Sequence, residues 1–184
     1  MNQNFYDKLN NVIAKDSILL DEPMSRHTTF RVGGPADFFV TPKAKEEVRD
    51  VIRICKEAGM PYYIIGNGSN LLVSDAGYRG VIVQIYKEMN EVKVEGDLVK
   101  AQAGALLSGI AAKALGAELS GFEFASGIPG TIGGACVMNA GAYGGEMKDI
   151  VQNVTVLTRE GEIRELEKEE LGFGYRASVI KDRG

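Results

Sequence analysis

The 184-residue sequence has no tryptophan, one histidine and two cysteines. Cys55 and Cys136 lie far apart with no CxxC pair, so neither a structural zinc site nor a disulfide-stapled fold can be assembled from them. That usage fits a reducing compartment. Positive charge is also in short supply, with 21 Lys and Arg against 25 Asp and Glu and a net charge of -4. Such a balance offers no basic stripe for a nucleic acid. No apolar run approaches the roughly 18 residues of a membrane span. The opening MNQNFYDKLNNV has neither the basic flank nor the apolar centre of a signal peptide. No Gly-Lys-Ser/Thr, metal-ligand cluster, catalytic triad or carboxylate pair can be found. What remains is a cytoplasmic α/β protein, 45% apolar, with core enough for one ordinary domain or two small ones.

Glycine, by contrast, is abundant: 23 of 184 residues, against a usual share of about 7%. Eight of them (Gly121, Gly127, Gly130, Gly133, Gly134, Gly141, Gly144 and Gly145) fall in residues 121–145, where Glu123 is the sole charged side chain. A disordered linker would carry more charge and fewer Ile, Val, Met and Phe. The stretch reads as ordered backbone brought close to something large and polar.

Along the chain, residues 5–20 are expected to form a helical lead-in carrying Phe5, Leu9, Val12 and Ile13, ended by Pro23. A strand over 36–41 follows. Thr41-Pro42 then supplies an N-cap and a first-turn proline for a helix that buries Ala44, Val48, Val51, Ile52, Cys55 and Ala58 and stops at Gly59. Pro61 opens a second buried strand, 62–65, in which Tyr62 and Tyr63 beside Ile64 look like core. The two strands are expected to pair in parallel as a βαβ unit. Strands over 81–86, 91–95 and 98–103 come next, the last two joined by a Gly96-Asp97 turn. A helix over 106–115, the glycine-rich segment, and a hairpin of 151–158 with 162–166 complete the pattern, with one helical turn at 167–171. A boundary near residue 79 separates 1–79 from a strand-dominated 80–184. The end, at 179–184, has no terminal helix or tail and reads as a cut before the next element.

Gly66, Asn67, Gly68, Ser69 and Asn70 directly follow a buried strand, where exposed backbone N–H groups can meet a pyrophosphate. An ordinary turn is the competing reading, and Leu71 in the third glycine's place rules out the dinucleotide fingerprint. Gly127, Ile128, Pro129, Gly130, Thr131, Gly133 and Gly134, followed by Asn139 and Gly141, suit a groove lined by backbone amides. There Thr131 and Asn139 could satisfy ribose, phosphate or ring atoms. Close helix-to-strand packing would want the same small residues. Arg176 is either a cation for a substrate carboxylate or a surface partner of Glu169 or Glu170. His27 reads as a structural hydrogen-bonder, with no carboxylate close in sequence, and Cys136 as buried and inert.

Taken together and in order, His27-Thr28-Thr29-Phe30-Arg31-Val32-Gly33-Gly34-Pro35-Ala36, Gly66–Leu72, Gly127–Ala135, Met138–Gly144 and Phe173–Ser178 resemble the UDP-N-acetylenolpyruvoylglucosamine reductases (UDP-N-acetylmuramate dehydrogenases). The resemblance spans about residues 24–178. It implies an α+β, two-subdomain FAD-binding fold of the vanillyl-alcohol-oxidase type: a small βαβ subdomain, a larger mixed α+β subdomain, and FAD between them. It also implies an NADPH-dependent flavoprotein reductase of peptidoglycan precursor synthesis, a cytoplasmic monomer acting on a nucleotide sugar. Hydride would pass through FAD to the enolpyruvyl ether. By the same resemblance Arg176 stabilises the enolate, Gly66–Asn70 hold the pyrophosphate, and Gly127–Gly134 with Asn139 and Gly141 make further FAD contacts. The family's third domain carries a serine proton donor in a Gly-Ser-Phe-Phe-Lys-Asn-Pro type stretch and a late glutamate. Neither occurs in these residues, so little turnover is expected of this chain alone. A flavin oxidase of the same fold with another substrate, and a non-catalytic flavin-binding module, are the alternatives.

Overall fold

The computed structural model describes residues 3–183, and the chain divides between Met89 and Asn90 into two units. In the first, α1 (Gln3–Asn10) is followed by β1 (Ile18–Pro23), β2 (Pro35–Val40), α2 (Lys45–Glu57), β3 (Tyr62–Ile65) and β4 (Tyr78–Gln84). The strand order is β1-β2-β4-β3, with β1 antiparallel to β2 and both β2 and β3 parallel to β4. Strand alternation sorts the core into two faces. Phe38, Val40, Val81 and Val83 pack with Phe5 and Leu9 of α1 and Val51, Ile54 and Cys55 of α2. Ala36, Phe39, Ile65 and Ile82 pack with Met24 on the other face. Ala36 joins that second face despite its even spacing from Phe38 because the β2–β4 register shifts between them. Phe5 meets Phe38 edge-on at 5.0 Å, and burying a side chain of that size is worth about 2–3 kcal/mol.

Several expectations are corrected here. The helical lead-in stops at Asn10, and Ile18–Leu20 lie in β1, paired antiparallel with Val40, Phe39 and Phe38 of β2. Thr41-Pro42 does not start α2. The helix begins at Lys45 behind Ala44, whose side chain caps nothing, while Glu47 Oε2 accepts from Lys43 N at 2.6 Å. At its other end Gly59 takes φ +61 and Met60 N donates to Cys55 O, the glycine stop expected. β2 and β3 are not neighbours, since β4 inserts between them. That leaves β3 at the sheet edge, with Tyr63 52% and Ile64 44% exposed instead of in the core. A boundary at 79 would cut β4 itself.

The second unit contains the hairpin β5 (Val92–Glu95) and β6 (Leu98–Ala101), then α3 (Leu107–Gly116) and α4 (Ile132–Val137). A two-residue ladder of β7 (Gly141–Ala142) and β8 (Gly145–Glu146), α5 (Met147–Ile150), the hairpin β9 (Asn153–Leu157) and β10 (Ile163–Glu167), and α6 (Val179–Arg183) follow. The 179–183 helix stands where no terminal helix is expected from sequence. Its core is made of small residues: Ala125, Ala135 and Ala140 around Leu107 and Met147, ringed by Phe122, Phe124, Ile128 and Ile132. Among the described residues no helix is long and apolar enough to cross a membrane.

Candidate functional site

In the first unit the loop after β3 carries Gly66–Asn70. Gly68 is buried at φ +69, and a Cβ there would run into the carbonyl oxygen of His27. The loop is tied from both sides, as Thr29 N donates to Gly68 O at 3.1 Å and Gln84 Nε2 to Gly66 O at 3.2 Å. The carbonyls of Gly66 and Gly68 are therefore tied into the protein. The N–H groups of Asn67, Gly68 and Asn70 donate to no other group among the described residues. Backbone N–H groups of a tight loop that have no partner among the described residues can form an anion-binding concavity.

His27 braces this loop, and a carboxylate does stand beside it, contrary to the sequence reading. Its Nε2 lies 2.9 Å from Glu22 Oε1, and its ring stacks on the buried Phe39 at 3.9 Å. Strand β1, which the sequence reading folded into a helix, delivers that glutamate.

In the second unit the glycines divide by cause. A Cβ on Gly133 would come within 2.9 Å of Ala103, and one on Gly145 within 2.6 Å of the Phe124 ring. Gly141 would meet Glu146 Cγ at 2.8 Å. These three are glycine for packing, the competing explanation weighed above. The α4 amides are also used internally: Gly133 N donates to Ala103 O at 2.9 Å and Gly134 N to Thr131 Oγ1 at 3.4 Å. Thr131, 3% exposed, is thus a helix cap. Gly127 differs. It is exposed, its φ is ordinary, and an added Cβ would meet nothing within 4 Å. Nothing in the chain's own packing requires glycine there. Ile128 packs against the small-residue core, while Pro129 and Gly130 (φ +146) bend the chain into Thr131.

Asn139, Gly141 and Arg176 are brought together in one cleft of about 210 Å³, which Tyr143, Glu146 and Tyr175 also line. Arg176 sits at φ +54 at the tip of a two-residue turn closed by Ala177 N to Gly174 O at 3.3 Å, with Gly174 N donating back to Ala177 O at 3.0 Å. It forms no ion pair among the described residues, and Glu170 pairs instead with Arg164 at 2.5 Å. The surface-partner reading of Arg176 therefore fails. Its guanidinium stands 6.0 Å from the Tyr175 ring centre, a distance at which cation–π attraction operates. Tyr143 and Tyr175 are 97% and 89% exposed.

Asn139 corrects the expectation of a side-chain contact to a ligand. It is 2% exposed, its Nδ2 donates to Glu146 Oε2 at 2.9 Å and to Gly174 O at 3.0 Å, and its Oδ1 accepts from Lys148 N at 2.9 Å. Glu146, absent from the sequence-level candidates, is the hub of the cleft. Its carboxyl is held below the ordinary carboxylate range, first by the hydrogen bond from Lys148, then by that from Asn139, with the Lys148 and Arg176 charges adding to it. A depressed carboxylate contributes stability that is present above its unfolded pKa and is lost as pH falls through the folded value. The cleft should therefore stay ordered at pH 5 and lose order only in more acid solution, which amide NMR shifts of residues 139–148 would follow.

Both thiols are buried, and burial pushes Cys55 and Cys136 each up to about 12. Neither should react with a thiol reagent at neutral pH until the chain is unfolded, when both should.

The model of the FAD binding domain family matches residues 36–167. The chain belongs to the FAD binding domain family. Relatives of this FAD-binding domain include the UDP-N-acetylenolpyruvoylglucosamine reductase of Clostridioides difficile strain 630. It is 51% identical over 183 residues, which are 100% of this chain and 60% of that protein. The chain thus spans about three-fifths of the length of such relatives. Among solved structures, the reductase of the same name from Thermus caldophilus superposes with a TM-score of 0.72 at 38% identity, over 88% of this chain and 55% of that one. A p-cresol methylhydroxylase, 19% identical, superposes at 0.66 over 89% of this chain and 35% of its own. The mixed α+β fold is the one these solved structures share.

Proposed function

We propose that this chain is the FAD-binding part of an NADPH-dependent UDP-N-acetylenolpyruvoylglucosamine reductase, and that Gly66–Asn70 receive the pyrophosphate of FAD. The observation carrying the cofactor reading is the loop after β3, whose Gly66 and Gly68 carbonyls are tied into the protein while the N–H groups of Asn67, Gly68 and Asn70 have no partner among the described residues. A neutral cradle of this kind suits a pyrophosphate held by donors without lysines. Exposed Gly127, glycine for no internal reason, supports a second approach of the cofactor along 127–134. The identity to reductases supports the substrate class.

When bound, FAD supplies the hydride chemistry between a nicotinamide and the substrate. The chain's own residues supply orientation and charge. Arg176 would present a planar two-pronged donor to the substrate carboxylate and stabilise the negative charge that grows on it when hydride reaches the β-carbon of the enolpyruvyl group, before the α-carbon is protonated. Without a carboxylate partner of its own, it pays no cost to release one. A same-fold oxidase that links its flavin through His or Cys is disfavoured, since His27 is engaged by Glu22 and Cys136 is buried with its thiol pushed up to about 12. The reading carries with it a cytoplasmic monomer, to be checked by cell fractionation and light scattering.

The test is anaerobic addition of NADPH to the FAD-loaded chain, with and without UDP-N-acetylenolpyruvoylglucosamine. Bleaching of the flavin bands, with a substrate-induced spectral shift that Arg176→Met removes, is the expected result. A flavin that NADPH leaves oxidised would count against this reductase.

A further inference from the structure

Arg176 occupies a position that side chains avoid. It is the second central residue of a tight turn at φ +54, where a type II turn ordinarily has glycine. A non-glycine residue there persists only if its surroundings hold it. The holding contacts can be traced. Asn139 Nδ2 grips the carbonyl of Gly174, the residue that opens the turn, at 3.0 Å, and the same amide is gripped by Glu146 Oε2 at 2.9 Å. Ser178 Oγ donates to Val137 O at 2.7 Å just past the turn, and Lys181 Nζ to Arg176 O at 3.2 Å. Asn139 is itself left-handed, at φ +43, and nearly inaccessible.

We infer that Asn139 and Glu146 are positioning residues for Arg176, Asn139 as a bracket between Glu146 and the turn and Glu146 as the acceptor that fixes the bracket's orientation. This rests on the reading of Arg176 as the group that meets the substrate carboxylate. The arrangement solves a specific difficulty. A carboxylate paired directly to Arg176 would hold it still but occupy the donors an anion needs. Routing the restraint through the Asn139 amide fixes the turn and leaves the guanidinium unpaired, with Glu146 close enough to feel its charge. The Asp149 side chain takes only the Glu146 backbone N–H, at 2.8 Å, and does not reach the turn, while the Glu146 carboxylate accepts from the Asp149 backbone N–H, which an alanine at 149 would still supply.

The experiment uses the 15N-labelled chain and two readouts: hydrogen exchange of the Ala177 amide, which closes the turn, and the Arg176 Nε shift on titration with pyruvate as a carboxylate probe. Asn139→Ala and Glu146→Ala should each speed Ala177 exchange about tenfold, the equivalent of one hydrogen bond. Each should also weaken the pyruvate response. Glu146→Gln keeps an acceptor for Asn139, so exchange should stay within about twofold, and losing the negative charge should strengthen pyruvate binding. Asp149→Ala, which removes only the cap, should leave both readouts alone. If Asn139→Ala fails to fold, the contrast between Glu146→Ala and Glu146→Gln decides the matter. Unchanged exchange in the Ala variants, or Gln as damaging as Ala, would overturn the inference. Exchange that moves as expected while pyruvate never shifts wild-type Arg176 supports the bracket and removes the carboxylate reading.

Discussion

Gly68→Ala is expected to destabilise the first unit by about 2–5 kcal/mol and to abolish FAD binding. Two effects add. A left-handed backbone costs an L-residue about 1–2 kcal/mol, and Gly68 stands at φ +69. The added methyl would also be driven into the carbonyl of His27, with Thr28 Cα 3.1 Å away. Backbone on both sides cannot give way as a side-chain tip would, so overpacking of about 1–3 kcal/mol is added. The informative partner is Gly127→Ala, where the methyl meets nothing within 4 Å. Its melting temperature should match wild type while FAD affinity falls about tenfold, because on the proposed reading the cofactor passes close to that backbone. Urea melts and flavin titrations of both variants measure the contrast. A Gly68→Ala chain as stable as wild type would mean that the loop is not held against His27 as described.

Arg176→Gly should move stability the other way while removing function. Relieving φ +54 favours glycine by about 1–2 kcal/mol, offset by the roughly 0.5–1 kcal/mol that glycine loses in the unfolded chain. A net gain of up to about 1.5 kcal/mol follows, against a loss of carboxylate recognition of about a hundredfold or more, as expected for removing a preorganised charge. Arg176→Lys keeps the strain and the charge but not the fork, and should recover little. Thermal melts and substrate-induced spectral shifts give the two signs. Parallel losses in both would mean that Arg176 is there for stability.

How far such a site can be read from residues depends on what each residue answers to. α2, the two hairpins and the glycine stop at Gly59 follow from local periodicity and turn chemistry, and these were legible. β1 was not, because Ile18-Leu19-Leu20 continues the apolar spacing of α1 and only its pairing with β2 makes it a strand. The insertion of β4 between β2 and β3 is a long-range choice that no local signal records. The same limit governs the cleft. Glycine content announced the 127–145 region, but Gly133 and Gly145 answer to Ala103 and Phe124, whereas Gly127 answers to nothing inside the chain. Composition cannot separate those cases. Asn139 looked like a ligand contact because it is a polar residue among glycines, and only the positions of Gly174 and Glu146, 35 and 7 residues away, show where its hydrogen bonds go.

The most direct test of the account is a titration of the folded, flavin-free chain with FAD, followed together by flavin absorbance and by backbone amide shifts. Saturable binding of one FAD per chain, with the Asn67, Gly68 and Asn70 amides moving first, is the predicted result. A chain that is folded by its amide spectrum yet binds no FAD, or binds it without moving those three amides, would contradict it.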